Sequence, residues 1–278
     1  MPGNFSAMQL ALLHRTRTRR GERFGRKLDT RFSETSSKQC GVVVPYNSCR
    51  RFHSQVHPHE FSCCTRSPHG IMTTGLVWFR RDLRLADNPA LSEALARHDQ
   101  IICVYIHAPD EEAPWQPGAA SRWWLHHSLT ALAEDLRECG SPLRVVKGES
   151  LATLRDLVAT HKVDAVYWNR LYEPAAIKRD RTIKSVLRDA GTTTESFNAS
   201  LLFEPWQVET GQGDPYRVFT PFWKRVLSLG DPRSPQPAPK ALPPPTEIET
   251  DRLDDWRLEP TKPDWAGGMR ESWTPGEA

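Results

Sequence analysis

From residue 72 onward the chain alternates short β-branched and aromatic runs with longer stretches of helical period, and this rhythm limits the possible folds more than any other feature. Strands separated by helices run parallel, because each crossover returns the chain to the same end of the sheet. The runs at residues 76–79, 101–106, 143–146 and 165–168 predict strands, with a weaker one near 194–197. Between them, Leu125, Leu129, Leu132 and Leu136 make one apolar stripe on a helix over residues 121–139, and Gly140 is a natural stop. Ser150 is the expected cap of the next helix, which carries Leu151, Leu154 and Val158 on one face. A third helix opens with Pro174 in its first turn, carries Ile177, Ile183, Val186 and Leu187, and ends at Gly191. The pattern defines a doubly wound, Rossmann-like α/β domain over residues 72–229, with a five-stranded parallel sheet and flanking helices.

In such sheets ligands sit at the carboxyl ends of the strands. The first strand, Leu76-Val77-Trp78-Phe79, runs straight into Arg80, Arg81, Asp82 and Arg84 at that edge. Three arginines with Asp82 and Asp87 should form a fixed network rather than a loose basic patch, because a guanidinium presents its donors in a planar fork that pairs with carboxylates in defined geometry. Asp82, Arg84, Asp87 and Asn88 are expected to shape the loop by ion pairing and helix capping. No glycine stands in this turn, so it lacks the G-x-G-x-x-G that lets a backbone approach a pyrophosphate. A P-loop, a G-x-S-x-G elbow and an H-E-x-x-H are absent too, which removes the main support for dehydrogenase, NTPase, hydrolase and zinc protease readings.

The stretch "LVWFRRDLRLADNPAL" resembles the opening of the DNA photolyase/cryptochrome family, in which a short strand runs into an R-x-D-L-R-x-x-D-N signature. Further matches follow in order at "AVYWNRLYEP", "GDPYRVFTPFWKRV" and "DWAGGMRESWTPGEA". The resemblance covers residues 72–278. It implies an amino-terminal α/β domain that holds a light-harvesting antenna chromophore, followed in the family by a helical domain that holds FAD and damaged DNA. In that family the excited reduced flavin donates an electron to a cyclobutane pyrimidine dimer flipped out of the duplex. The antenna site implied for this chain comprises Phe79, Arg80, Arg81, Asp82, Tyr105, His107, Asn169 and Glu173. Folate-using members carry an Asn-Glu pair where this chain has Ala175 and Ala176, which favours a deazaflavin or flavin antenna over a folate. No catalytic residue falls in this part, so the chain is expected to be inactive alone. A cryptochrome-type photoreceptor part and a free-standing chromophore- or nucleotide-binding module are the competing readings.

Composition divides the chain in two. Residues 1–71 hold 12 Lys or Arg against 4 Asp or Glu, leaving 25 against 30 for the rest, so a basic leader precedes a mildly acidic body. The leader has no useful periodicity and is expected to be disordered. Upstream translated sequence, an organellar presequence and a basic arm all fit its composition. Its Cys49, His53, His57, His59, Cys63 and Cys64 lack the paired spacing of a zinc knuckle, so no metal is expected. The acidic body argues against phosphate gripping as its main duty. With only Cys103 and Cys139 in the body and no long apolar run in the chain, a cytosolic monomer without a membrane span is expected, nuclear or organellar targeting resting with the leader. Residues 230–278 open on "DPRSPQPAPKALPPP" from residue 231, a proline-rich connector to a helical FAD domain, and are expected to find little to pack on. Deletion of residues 1–71 should leave the melting temperature nearly unchanged; a loss of several degrees by calorimetry would make the leader part of the fold.

Overall fold

The structure, a computed structural model, describes residues 72–243 and 248–277. The leader, its Cys/His cluster and the last prolines of the connector lie outside the described residues. Five strands, β1 (Thr74–Phe79), β2 (Gln100–His107), β3 (Arg144–Lys147), β4 (Ala165–Asn169) and β5 (Thr193–Phe197), form one sheet in the order β3-β2-β1-β4-β5. Every pairing is parallel, with Val77 opposite Cys103 and Tyr167. The order reverses at β1, so the loop that follows β1 sits at the switch point where such folds bind ligands.

Four helices complete the crossovers: α1 (Pro89–Arg97), α2 (Ala119–Glu138), α3 (Ser150–His161) and α4 (Pro174–Asp189). The central strands are buried on both faces, which is why their sequences read as continuous apolar runs rather than alternating ones. On one face Val77, Phe79 and Cys103 pack with Leu129, Leu132 and Leu136 of α2 and Leu91 and Ala94 of α1. On the other, Leu76, Trp78, Ile102 and Trp168 pack with Leu154 of α3 and Ile183 and Leu187 of α4. Burial pushes the Cys103 thiol up to about 12, which keeps it a packing group and not a nucleophile.

Two local expectations are corrected. Ser150 is the first helical residue of α3, not its cap; the cap is Glu149, whose side chain accepts from the Ala152 N–H at 2.7 Å. Ser150 instead gives its N–H and its hydroxyl to Glu111, at 2.5 and 2.7 Å. The residues after Leu229 do find a packing surface. Leu242, Ile248, Leu258 and Ala266 are buried, and the Leu242 N–H donates to the Cys139 carbonyl at 2.7 Å. Sequence reasoning undervalued these residues because each is an isolated apolar position among prolines and charges.

Both open edges of the sheet are managed, as exposed edges must be if they are not to recruit other strands. Along β3 the connector supplies partners: Val145 N–H donates to Thr250 Oγ1 at 2.9 Å, and Val145 O accepts from Asp251 N–H at 2.8 Å. Along β5 the outward carbonyls are covered by side chains. Arg188 Nη2 donates to Thr194 O at 2.8 Å and Arg170 Nη1 to Ser196 O at 2.5 Å.

Beyond the sheet, α5 (Phe219–Ser228) stacks Phe219 on Trp223 at 6.1 Å, and α6 (Gly267–Ser272) follows late in the chain. A chain ending at residue 230 should melt roughly 10 °C lower than the full chain, since it loses the burial of Leu242, Ile248 and Leu258, of order 5 kcal/mol. An unchanged midpoint would show that the connector contributes nothing.

Candidate antenna site at the carboxyl edge of the sheet

The three arginines after β1 go to three different places. Arg80 turns into the protein, where its side chain is almost fully buried. Its Nη1 reaches both oxygens of Asp180 at 2.9 Å, and its Nη2 donates to the carbonyl of Asn169 at the end of β4. The guanidinium also lies over the Trp78 ring, 4.8 Å from its centroid. Burial pulls the Arg80 pKa below the ordinary arginine value, and Asp180 offsets part of that pull. Asp180 is held in turn by Trp168 Nε1 at 3.1 Å and Arg179 Nε at 3.4 Å.

Arg81 points outward to Glu173 and Glu112, half exposed. Arg84 secures backbone, donating through Nη2 to the carbonyls of Asp87 at 2.9 Å and Ala199 at 2.7 Å.

The acids and amides fix the loop. Asp82 accepts from the Arg80 N–H at 2.9 Å and from Asn169 Nδ2 at 2.5 Å. Asn169 also donates to Asn88 Oδ1 at 2.8 Å and accepts from the Ala90 N–H at 3.2 Å. Asn88 caps α1, accepting from the Leu91 N–H at 3.2 Å. Asp87 adopts φ 50°, a left-handed conformation that aspartate tolerates better than most residues. It binds the connector through Gln236 N–H at 3.2 Å and Arg233 Nη1 at 2.5 Å.

Of the eight residues that sequence singled out, four therefore form the inner frame. Phe79 is core, and Arg80, Asp82 and Asn169 satisfy one another and their neighbours. The other four lie outside that frame. Arg81 pairs with Glu173, and Tyr105 lies within electrostatic reach of Arg81 and Glu112. His107, at the end of β2, is stacked on Trp256 of the connector at 4.8 Å and 17°. Tyr105 also approaches Trp256, at 6.2 Å. Burial and Lys147 hold the His107 pKa below its ordinary value, so the ring is neutral near pH 7. Trp256 Nε1 is buried without a hydrogen-bond partner among the described residues. A planar aromatic stack and an exposed guanidinium are groups that suit a flat, polar-edged chromophore.

Asp180 and Trp256 were missed from sequence. Asp180 left a signal: with Ala176, Ile183 and Leu187 it lies on the buried stripe of α4, where a charge demands a partner. Trp256 left none, since it reaches His107 from far along the chain.

A family profile for DNA photolyase matches residues 75–243, more than half of the chain. With that match and the five-stranded fold, the chain belongs to the DNA photolyase family. A deoxyribodipyrimidine photo-lyase of Agrobacterium fabrum is 43% identical over 203 residues, 73% of this chain and 42% of that protein. Cryptochrome-1 of Arabidopsis thaliana is 43% identical over 169 residues, 60% of this chain and 25% of that protein. The crystal structure of a class III photolyase from Agrobacterium tumefaciens superposes with a TM-score of 0.69 at 42% identity, covering 77% of this chain and 44% of that one. An archaeal photolyase from Sulfolobus tokodaii, solved with two FAD molecules and an implied novel light-harvesting cofactor, gives 0.55 at 27% identity, over 72% of this chain and 45% of that one. The chain thus spans less than half the length of these relatives.

Truncating one partner of a buried ion pair strands the other. Arg80→Leu should cost about 3–5 kcal/mol of stability by urea unfolding, and Arg80→Leu with Asp180→Leu should recover more than half of it. Equal losses in the single and double variants would show that the pair is not coupled.

Proposed function

We propose that this chain is the antenna-binding part of a deoxyribodipyrimidine photolyase, which repairs cyclobutane pyrimidine dimers in DNA by light. The observation that carries the reading is its 43% identity to a photolyase over the same α/β fold. Within the site, the proposal divides the labour. Arg81, Tyr105, His107 and Glu173 face the chromophore with Trp256, while Phe79, Arg80, Asp82 and Asn169 hold the loop in position. The chromophore absorbs light and passes its excitation to a flavin. A deazaflavin or flavin suits the site better than a folate: Ala175 and Ala176 open α4 without the polar pair that folate users carry. The Sulfolobus relative, with its second FAD, supports a flavin-type antenna.

Electron donation to the lesion belongs to FAD in a helical domain, which with damaged DNA completes the proposed partner set of a monomeric enzyme. The 43% identity to Cryptochrome-1 supports a second reading, in which the same domain serves a blue-light photoreceptor. No helix among the described residues is long and apolar enough to cross a membrane.

Mixed in turn with a deazaflavin, FMN and a methenyl-folate, the purified 278-residue chain should retain one of the first two and show its near-ultraviolet to blue absorption. Trp256→Ala and Arg81→Ala should each weaken binding about tenfold, the loss of a stacking face or of a charge-assisted contact. Retention of folate alone would overturn the ligand assignment, and retention of none would overturn the antenna reading. The chain with added FAD under light should repair no dimers; measurable repair would overturn the assignment of the chemistry to the helical half.

A further inference from the structure

The strongest feature outside this site lies along the open β5 edge. A cleft of about 500 Å3 runs between α4 and β5, lined by Arg170, Arg181, Lys184, Arg188, Ser185 and Ser196, with Asp180 and Asp189 as its acids. Its charges do not cancel. Asp180 is taken by Arg80 at 2.9 Å, and Arg170 is paired with Glu204 at 2.5 Å. That leaves Arg181, Lys184 and Arg188 against Asp189 alone.

The remaining cations have neutral partners. Lys184 Nζ donates to Ser196 Oγ at 2.6 Å, and Arg188 donates to Thr194 Oγ1 and O, each at 2.8 Å. Hydroxyls and carbonyls satisfy donors but leave the positive charge standing. Lys184 is half-buried, and its ammonium is further disfavoured by Arg170 and Arg188. Arg181 is exposed and has no ion-pair partner among the described residues.

We propose that this cleft binds the phosphate groups of a small, nucleotide-sized ligand, with Lys184 at its centre and Arg181 and Arg188 at its sides. An anion there relieves the repulsion among three cations at once, and Ser196, whose hydroxyl oxygen accepts from Lys184 and Arg170, keeps its own hydrogen to donate. Phosphate fits better than a single carboxylate because several uncompensated cations converge. The cleft's volume suits a ligand of nucleotide size. A small ligand fits better than a nucleic acid strand because the body beyond residue 71 is acidic, 25 Lys or Arg against 30 Asp or Glu.

Calorimetric titration of the full chain with pyrophosphate and with adenosine diphosphate tests the site. Saturable binding tighter than about 1 mM is expected for at least one of them. Lys184→Met should weaken it about tenfold without lowering the melting temperature, and Arg181→Ala severalfold, whereas Lys178→Ala on the same helix should leave it unchanged. Absence of saturable binding would overturn the proposal. So would equal binding by the parent, Lys184→Met and Arg181→Ala. If a single-stranded oligonucleotide binds more tightly than either probe and loses affinity in the same variants, the cleft is a nucleic-acid contact and the small-ligand assignment fails.

Discussion

A guanidinium cannot enter a protein core alone, because burial strips its water and the lost hydration must be replaced by partners in the right places. Arg80 makes this demand at the end of the central strand. Its fork requires a carboxylate from α4 and a carbonyl from the end of β4, so the strand exits and one helix are fixed relative to each other at the switch point of the sheet. Asp82 and Asn169 then extend the constraint to α1 through the Ala90 N–H and Asn88. The loop after β1 is consequently frame, apart from Arg81, which points outward to Glu173 and Glu112.

The same logic divides arginines elsewhere in the molecule. Arg188 spends its donors on the neutral Thr194 hydroxyl and carbonyl, which protects a sheet edge while leaving its charge uncompensated, whereas Arg84 stitches the backbone of two loops and also has Asp87 as an acid partner at 3.9 Å. Arg170 serves the β5 edge as well but has an acid partner in Glu204. Whether a cation's partner is neutral or charged decides if it can also attract an anion. That distinction separates the cleft beside β5 from an ordinary solvated face.

Much of the fold was legible because the apolar runs and the stripe Leu125, Leu129, Leu132, Leu136 obey short-range periodicities. Strand ends moved by only one or two residues, as for β1, which begins at Thr74 and not Leu76. The charged network after β1 was legible too, since charges directly after a buried strand have one place to go. Which of them were frame and which faced outward was not, because the division depends on Asp180, distant in sequence and recognisable only as an acid on a buried stripe. The packing of the connector was hidden for a related reason: Leu242, Thr250 and Trp256 each meet the domain at a single point, with no repeating pattern to announce it.

The account stands on the loop after β1 being a rigid frame, and amide hydrogen exchange of the native chain measures that directly. The N–H groups of Arg80, Ala90 and Leu91, bound to side chains of Asp82, Asn169 and Asn88, should exchange as slowly as those of the central strand β1. Exchange at the rate of exposed loops would mean that the network does not persist in solution, and the division between frame and ligand-facing residues would fall with it.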